Sequence, residues 1–213
     1  MEQENYLQSL LSKPSKPFQD MESFAEEHKI PIMEPLGMNF LMQLIRMQKP
    51  ERILEIGTAI GYSALCMLEA FPTARITTVE RDEWRYKEAL KNIEHMQAEN
   101  HISVIFGDAL ETGGQVRTEG PYDVLFIDAA KGKYEEFFHL YAPMLKDDGV
   151  IITDNVLFKG YVADDRSASP RMAKIAGKIR KFNEWLVKHP DYDTTIVPIG
   201  DGVAITKKKS SHS

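Results

Sequence analysis

An α/β fold, with a mostly parallel sheet of seven strands that ends in an antiparallel hairpin, is the architecture this chain predicts. Three features carry the expectation. Seven short apolar runs follow Pro50, stretches of helical period lie between most of them, and only a Gly-Asp-Gly turn separates the last two. Strands alternating with helices imply a parallel sheet covered on both faces. A glycine-rich two-way turn between the final strands favours a hairpin.

The elements follow in order. Residues 1–49 read as a helical arm interrupted at Pro14, Pro17, Pro31 and Pro35, with Met38, Leu41, Met42 and Ile45 at helical spacing. Residues 50–213 carry the strands "RILEIGT", "RITTVE", "ISVIFGD", "YDVLFIDA", "GVIITDN", "TTIVPIG" and "GVAITKK". No repeat, low-complexity stretch or linker divides them, so residues 1–213 are expected to form one domain.

Composition narrows the function classes. With 43% hydrophobic and 27% charged residues, the chain has an ordinary globular balance. Its single cysteine, Cys66, cannot form an internal disulfide, which suits a reducing, cytoplasmic setting. The start "MEQENYLQSL" lacks the basic and apolar regions of a signal peptide, and no apolar run approaches a bilayer span. A net charge of −6 argues against non-specific coating of nucleic acid. Between Lys159 and Lys188, however, eight basic residues stand against three acidic ones, and "KKK" at Lys207 to Lys209 adds a second basic stretch.

The chemistry gathers at strand ends, where α/β proteins keep their ligands. "EIGTAIGYSA" passes from strand to helix through Gly57 and Gly61, a turn that lets backbone approach a ligand. Its G-x-x-x-G spacing is not the nicotinamide fingerprint. Glu80 closes the second strand, where an acid can accept both hydroxyls of a ribose, and Asp108 in "FGDAL" ends the third beside the expected adenine. Asp128 ends the fourth strand; Asp154 and Asn155 end the fifth. Consecutive parallel strands usually lie side by side, so these three oxygen donors converge. Paired carboxylates repel unless a proton or cation sits between them, and an all-oxygen set suits Mg²⁺ better than zinc. Taken singly, each acid is equally a turn or cap residue.

Together, "LEIGTAIGYSA", "TTVERD", "GDAL", "FIDAAKGKY" and "ITDNVLFKG" resemble the cation-dependent class I O-methyltransferases, the family of the catechol and caffeoyl-coenzyme A enzymes. The resemblance spans nearly the whole chain and implies a Rossmann-like methyltransferase core. "HKIPIMEPLGM", "FFHLYAPML" and "NEWLVKHPDY" are most similar to the bacterial tRNA 5-hydroxyuridine methyltransferase subgroup. The implied cofactor is S-adenosylmethionine, held by Met33, Glu55, Gly57, Thr58, Ser63, Glu80, Arg81, Gly107, Asp108, Ala109 and Asp128. Implied metal ligands for Mg²⁺, with Mn²⁺ as a substitute, are Asp128, Asp154 and Asn155. Lys131 stands where catechol enzymes of the family place a lysine beside the acceptor oxygen, so Lys131 and Asp128 are the expected catalytic pair. A lysine after "DAA" can equally begin an exposed helix.

The expected reaction moves a methyl group onto the 5-hydroxyl of 5-hydroxyuridine at the tRNA wobble position. Arg171, Lys174, Lys178 and Lys181 repeat at three- and four-residue intervals beside an apolar stripe. With Lys159 and Arg166 they are candidates for RNA phosphate contacts, against the plain alternative of a solvated helix face. A catechol-like or hydroxycinnamoyl acceptor would use the same catalytic residues. A non-catalytic cofactor-binding protein would have no need of the metal set. The anticodon loop of tRNA is the expected partner, no membrane is expected, and the resemblance implies a homodimer. Tyr134, Phe137, Phe138 and Tyr141 read as core and interface, and the histidines, His212 included, show no zinc-like spacing.

Overall fold

The computed structural model describes residues 2–209; the tail around His212 lies outside the described residues. The arm forms α1 (Glu2–Ser9), α2 (Lys16–Glu27) and α3 (Pro35–Gln48). Two of the prolines that interrupt the arm start its helices: Pro17 and Pro35 sit in the first turns of α2 and α3, where the missing amide costs nothing. Lys49 then takes a left-handed conformation ahead of Pro50 and ends α3. One face of α3, including Met38, Leu41 and Ile45, is buried as the spacing predicts.

The core alternates β1 (Arg52–Ile56), α4 (Tyr62–Ala70), β2 (Arg75–Glu80), α5 (Glu83–His95), β3 (Ile102–Phe106), α6 (Gly113–Thr118), β4 (Tyr122–Ile127), α7 (Tyr134–Tyr141) and β5 (Leu145–Thr153). It finishes with α8 (Pro170–Val187), β6 (Tyr192–Val197) and β7 (Val203–Lys208). The seven strands run in the order β3-β2-β1-β4-β5-β7-β6. The first five are parallel, and β7 is antiparallel to both of its neighbours. The predicted hairpin therefore exists, but it folds back so that the later strand lies inside and β6 forms the edge.

Side-chain alternation divides the core between the two faces. Ile53, Val124 and Ile152 pack with α2, α3 and α4; Leu54, Leu125 and Ile151 pack with α7 and α8. All six are buried, and each stabilises the fold by about 1.5–3 kcal/mol relative to exposure. The aromatics of α7 (Tyr134, Phe137, Phe138 and Tyr141) are buried in this second cluster, as core. Among the described residues no helix is long and apolar enough to cross a membrane.

Candidate active site

The parallel strands end along one edge, and a cavity of about 750 Å³ opens there. Gly57 follows β1 with φ +107°, and a side chain on it would collide with the Asp128 carbonyl oxygen. Glycine is thus required by the approach of the chain leaving β4. Gly61, φ +84°, caps the start of α4. Glu80 is buried at the end of β2, and its carboxylate accepts three backbone amides: Ala59 at 2.8 Å, Arg81 at 2.9 Å and Asp82 at 2.8 Å. These bonds hold the carboxylate at the cavity wall with lone pairs to spare. Asp108 accepts the Leu110 amide at 2.9 Å, which fixes the turn after β3. Met33 reaches the cavity from the segment before α3, where Gly37 leaves room for its thioether arm.

Met33, Gly57, Thr58, Ser63, Glu80, Arg81, Gly107, Asp108, Ala109 and Asp128 all line this cavity. Glu55 does not. It lies fully buried behind the wall, accepting the hydroxyls of Ser63 at 2.5 Å and Thr78 at 2.6 Å. Burial pushes its carboxyl up to about 7, with those two hydroxyls opposing the shift. Its contact is with cavity-lining Ser63 rather than with a ligand.

At the ends of β4 and β5 the register Ile127↔Thr153 brings Asp128 and Asp154 side by side. Each amide bonds to the neighbouring strand of the sheet: Asp128 to Ile56 of β1 and Asp154 to Ile127 of β4, both at 3.0 Å. Burial raises both carboxyls above the usual range, Asp154 to about 8 with the charge of Asp128 adding to it. Asn155 adopts φ +59°, and its Nδ2 donates to Asp154 at 2.9 Å. Lys131 donates to Asn155 Oδ1 and lies 5.8 Å from the centre of the Phe158 ring. Burial lowers the Lys131 ammonium, while Asp128 and Asp154 pull it the other way.

Among the described residues no three His, Cys, Asp or Glu side chains form a metal cluster. The donor set here is two crowded, buried carboxylates and an amide oxygen. It fits a hard divalent cation that keeps several waters, and it does not fit zinc.

Of the residues expected to meet a substrate, Lys159 and Arg171 line the cavity. Arg166 does not; its guanidinium forks onto Asp164, with bonds of 2.5–3.0 Å, in an exposed loop. Lys174 is also off the wall, exposed on α8 one turn beyond Arg171. Two lysines of the three-lysine stretch are engaged locally: Lys208 pairs with Asp147 at 2.9 Å, and Lys209 bonds the carbonyls of His189 and Pro190. Asp201, in the turn before β7, lines the cavity without having been expected there. The available signal was topological: an antiparallel strand beside β5 begins at the edge where β5 ends.

Comparisons with known proteins identify the family. A family model for O-methyltransferases matches residues 11–209. The O-methyltransferase ankF of Aspergillus thermomutatus is 32% identical over 188 residues, covering 83% of this chain and 78% of its own. A Staphylococcus aureus protein provisionally named as a caffeoyl-CoA O-methyltransferase superimposes with a TM-score of 0.90 at 38% identity, over 98% of this chain and 100% of the other. An O-methyltransferase from Bacillus cereus, solved in complex with SAH, does so at 0.83 and 27% identity, over 98% of each chain. This chain belongs to the O-methyltransferase family, the S-adenosylmethionine-dependent class of the catechol and caffeoyl-CoA type.

Proposed function

We propose that this O-methyltransferase works with a divalent cation, Mg²⁺ or Mn²⁺, at Asp128, Asp154 and Asn155. We propose further that its acceptor is the 5-hydroxyl of 5-hydroxyuridine at the tRNA wobble position, giving 5-methoxyuridine. S-adenosylmethionine supplies an electrophilic methyl group, and the cation supplies positive charge that lowers the pKa of an acceptor hydroxyl. The protein's own part is binding, alignment and proton handling. Glu80, held rigid by three amides, takes the ribose hydroxyls. Asp108 and Ala109 border the adenine, while Met33, Gly57, Thr58 and Ser63 enclose the methionine end. Lys131 Nζ is the proton acceptor for the acceptor hydroxyl. Its lowered pKa enlarges the neutral fraction a base requires. Alignment of methyl and oxygen within a walled cavity contributes much of the rate.

The observation that supports an RNA acceptor is a basic stripe leading to the cavity. Arg171 lines the wall, and Lys174, Lys178 and Lys181 continue along the exposed face of α8. Such a row tracks phosphates, while a base splayed from an anticodon loop enters the recess. A second reading, a catechol-like or hydroxycinnamoyl acceptor, draws support from the name of the Staphylococcus aureus relative.

Labelled S-adenosylmethionine, Mg²⁺ and tRNA carrying 5-hydroxyuridine, beside a catechol control, separate the two. Label in the tRNA that disappears with EDTA is the expected outcome. Label only in the catechol keeps the metal chemistry and refutes the tRNA assignment.

A further inference from the structure

The segment that follows the candidate metal ligands is held in an unfavourable backbone shape by one residue of a distant turn. Phe158 and Lys159 both have positive φ, +45° and +55°, a region that non-glycine residues rarely occupy. Such a conformation persists only where surrounding contacts over-determine it. Here three consecutive amides end on Asp201. Its carbonyl oxygen accepts Leu157 at 2.9 Å and Phe158 at 3.3 Å, and its carboxylate accepts Lys159 at 2.6 Å. The next residue of the turn continues the mould: the Gly202 carbonyl accepts Val156 at 3.0 Å, and any side chain at Gly202 would collide with Leu157. From α8, Asn183 holds the Val156 carbonyl at 2.8 Å and Arg180 holds the Val162 carbonyl at 2.8 Å. Those anchors flank residues 157–159, whose own amides depend on Asp201.

What the mould presents is the cavity wall on the Lys131 side. Phe158 lies beneath the Lys131 ammonium, and Lys159 lines the cavity. The wall of Gly57, Glu80 and Asp108 rests on β1, β2 and β3, across the sheet from β7. We infer that Asp201 is a positioning residue for the acceptor: through the Lys159 amide it fixes Phe158 and Lys159 as the surface against which the acceptor ring is set beside Lys131. This rests on the acceptor entering beside Lys131, whatever its chemical class, so either tRNA or a catechol serves as the probe.

The test compares Asp201→Ala with Asp201→Asn in the full chain, using the acceptor that the wild-type protein methylates. An asparagine oxygen still accepts the Lys159 amide, whereas alanine does not. In Asp201→Ala we expect the acceptor KM to rise about tenfold with kcat changed less than about threefold, the pattern of lost binding and not of lost chemistry. Hydrogen exchange at the Lys159 amide should quicken about tenfold, while the S-adenosylmethionine Kd stays within about twofold. Asp201→Asn should restore KM and amide protection together. The exchange and cofactor measurements need no acceptor, so they stand even where the tRNA reading fails. Should Asp201→Ala not fold, Asp201→Asn decides alone: kcat loss with the Lys159 amide still protected would overturn the inference and assign the role to the carboxylate's charge.

Discussion

The two halves of the strand edge treat their carboxylates in opposite ways. On the side of β1, β2 and β3 every acid is satisfied by the protein: Glu80 by three amides, Glu55 by two hydroxyls, Asp108 by the turn it caps. On the side of β4, β5 and β7, Asp128, Asp154 and Asp201 act together on one ammonium, Lys131; burial raises the first two, as it also raises Glu55. Left-handed non-glycine residues sit in both halves, at Ala59 in the first and at Asn155, Phe158 and Lys159 in the second. A carboxylate fixed by backbone amides, with a lone pair left over, makes a rigid acceptor for neutral hydroxyls, as a ribose would require. Crowded carboxylates are stable as anions only with added positive charge, which is the setting for a cation. One half offers fixed hydrogen-bond acceptors, the other concentrated negative charge.

The sharpest way to break that contrast is to remove a charge. Asp154→Ala should lower methyl transfer by about a thousandfold or more, the size expected for losing a main electrostatic element. S-adenosylmethionine affinity, measured by calorimetry, should stay within about threefold if the halves are independent. A comparable loss of cofactor binding would show that the two are one unit.

Gly57→Ala strikes where the halves touch, because the β1 turn passes against the Asp128 carbonyl. A side chain there meets backbone in a left-handed residue, so about 2–4 kcal/mol of stability should be lost in denaturant titration. Both cofactor and cation binding should weaken with it. A variant as stable as wild type would mean that the close approach relaxes at little cost.

The legible parts of this molecule were those written as a local pattern or a neighbour rule. β-branched runs marked the strands, and the habit of consecutive parallel strands to adjoin was enough to bring Asp128 to Asp154. Helical spacing placed Arg171, Lys174, Lys178 and Lys181 on one exposed face. Asp201 was hidden because its position depends on β7 inserting between β5 and β6, a long-range choice that a Gly-Asp-Gly turn does not disclose. Arg166 stands among the candidate phosphate contacts because a pairing with Asp164, two residues away in a loop, leaves no periodic trace. Glu55 shares a strand face with Gly57, yet Ser63 stands above it, and no spacing rule shows which of the two reaches the cavity.

Glu55 offers a quieter test within the satisfied half. Its folded pKa, about 7, lies above the ordinary 4.5, so the folded state holds the proton more tightly than the unfolded chain. Stability from this group is full below about pH 4.5 and is lost as pH rises through 7, by at most about 3 kcal/mol. Glu55→Gln keeps one of the two oxygens that accept hydroxyls, puts an amide donor in place of the other, and removes the titration. Relative to wild type it should therefore gain stability between pH 5 and pH 8, in urea melts at each pH. A parallel pair of curves would place the proton elsewhere.

In the crowded half the same sign has a different consequence. Asp154 is raised to about 8 by burial and by Asp128, so below that pH an incoming cation must displace a proton. Cation affinity should then climb by up to about tenfold per pH unit between 6 and 8 and level off above, since one proton leaves per ion bound. With EDTA present, stability should fall as pH rises through 8, because the raised carboxyl favours the folded state only while protonated. Adding Mg²⁺ should recover that loss above pH 8 and change little at pH 6. Thermal melts at three pH values, with EDTA or excess Mg²⁺, read both effects without any acceptor. Equal stabilisation by Mg²⁺ at every pH would mean that both aspartates are already ionised when the cation arrives, with Lys131 alone neutralising them. In that case charge crowding would no longer distinguish this half of the edge from the other.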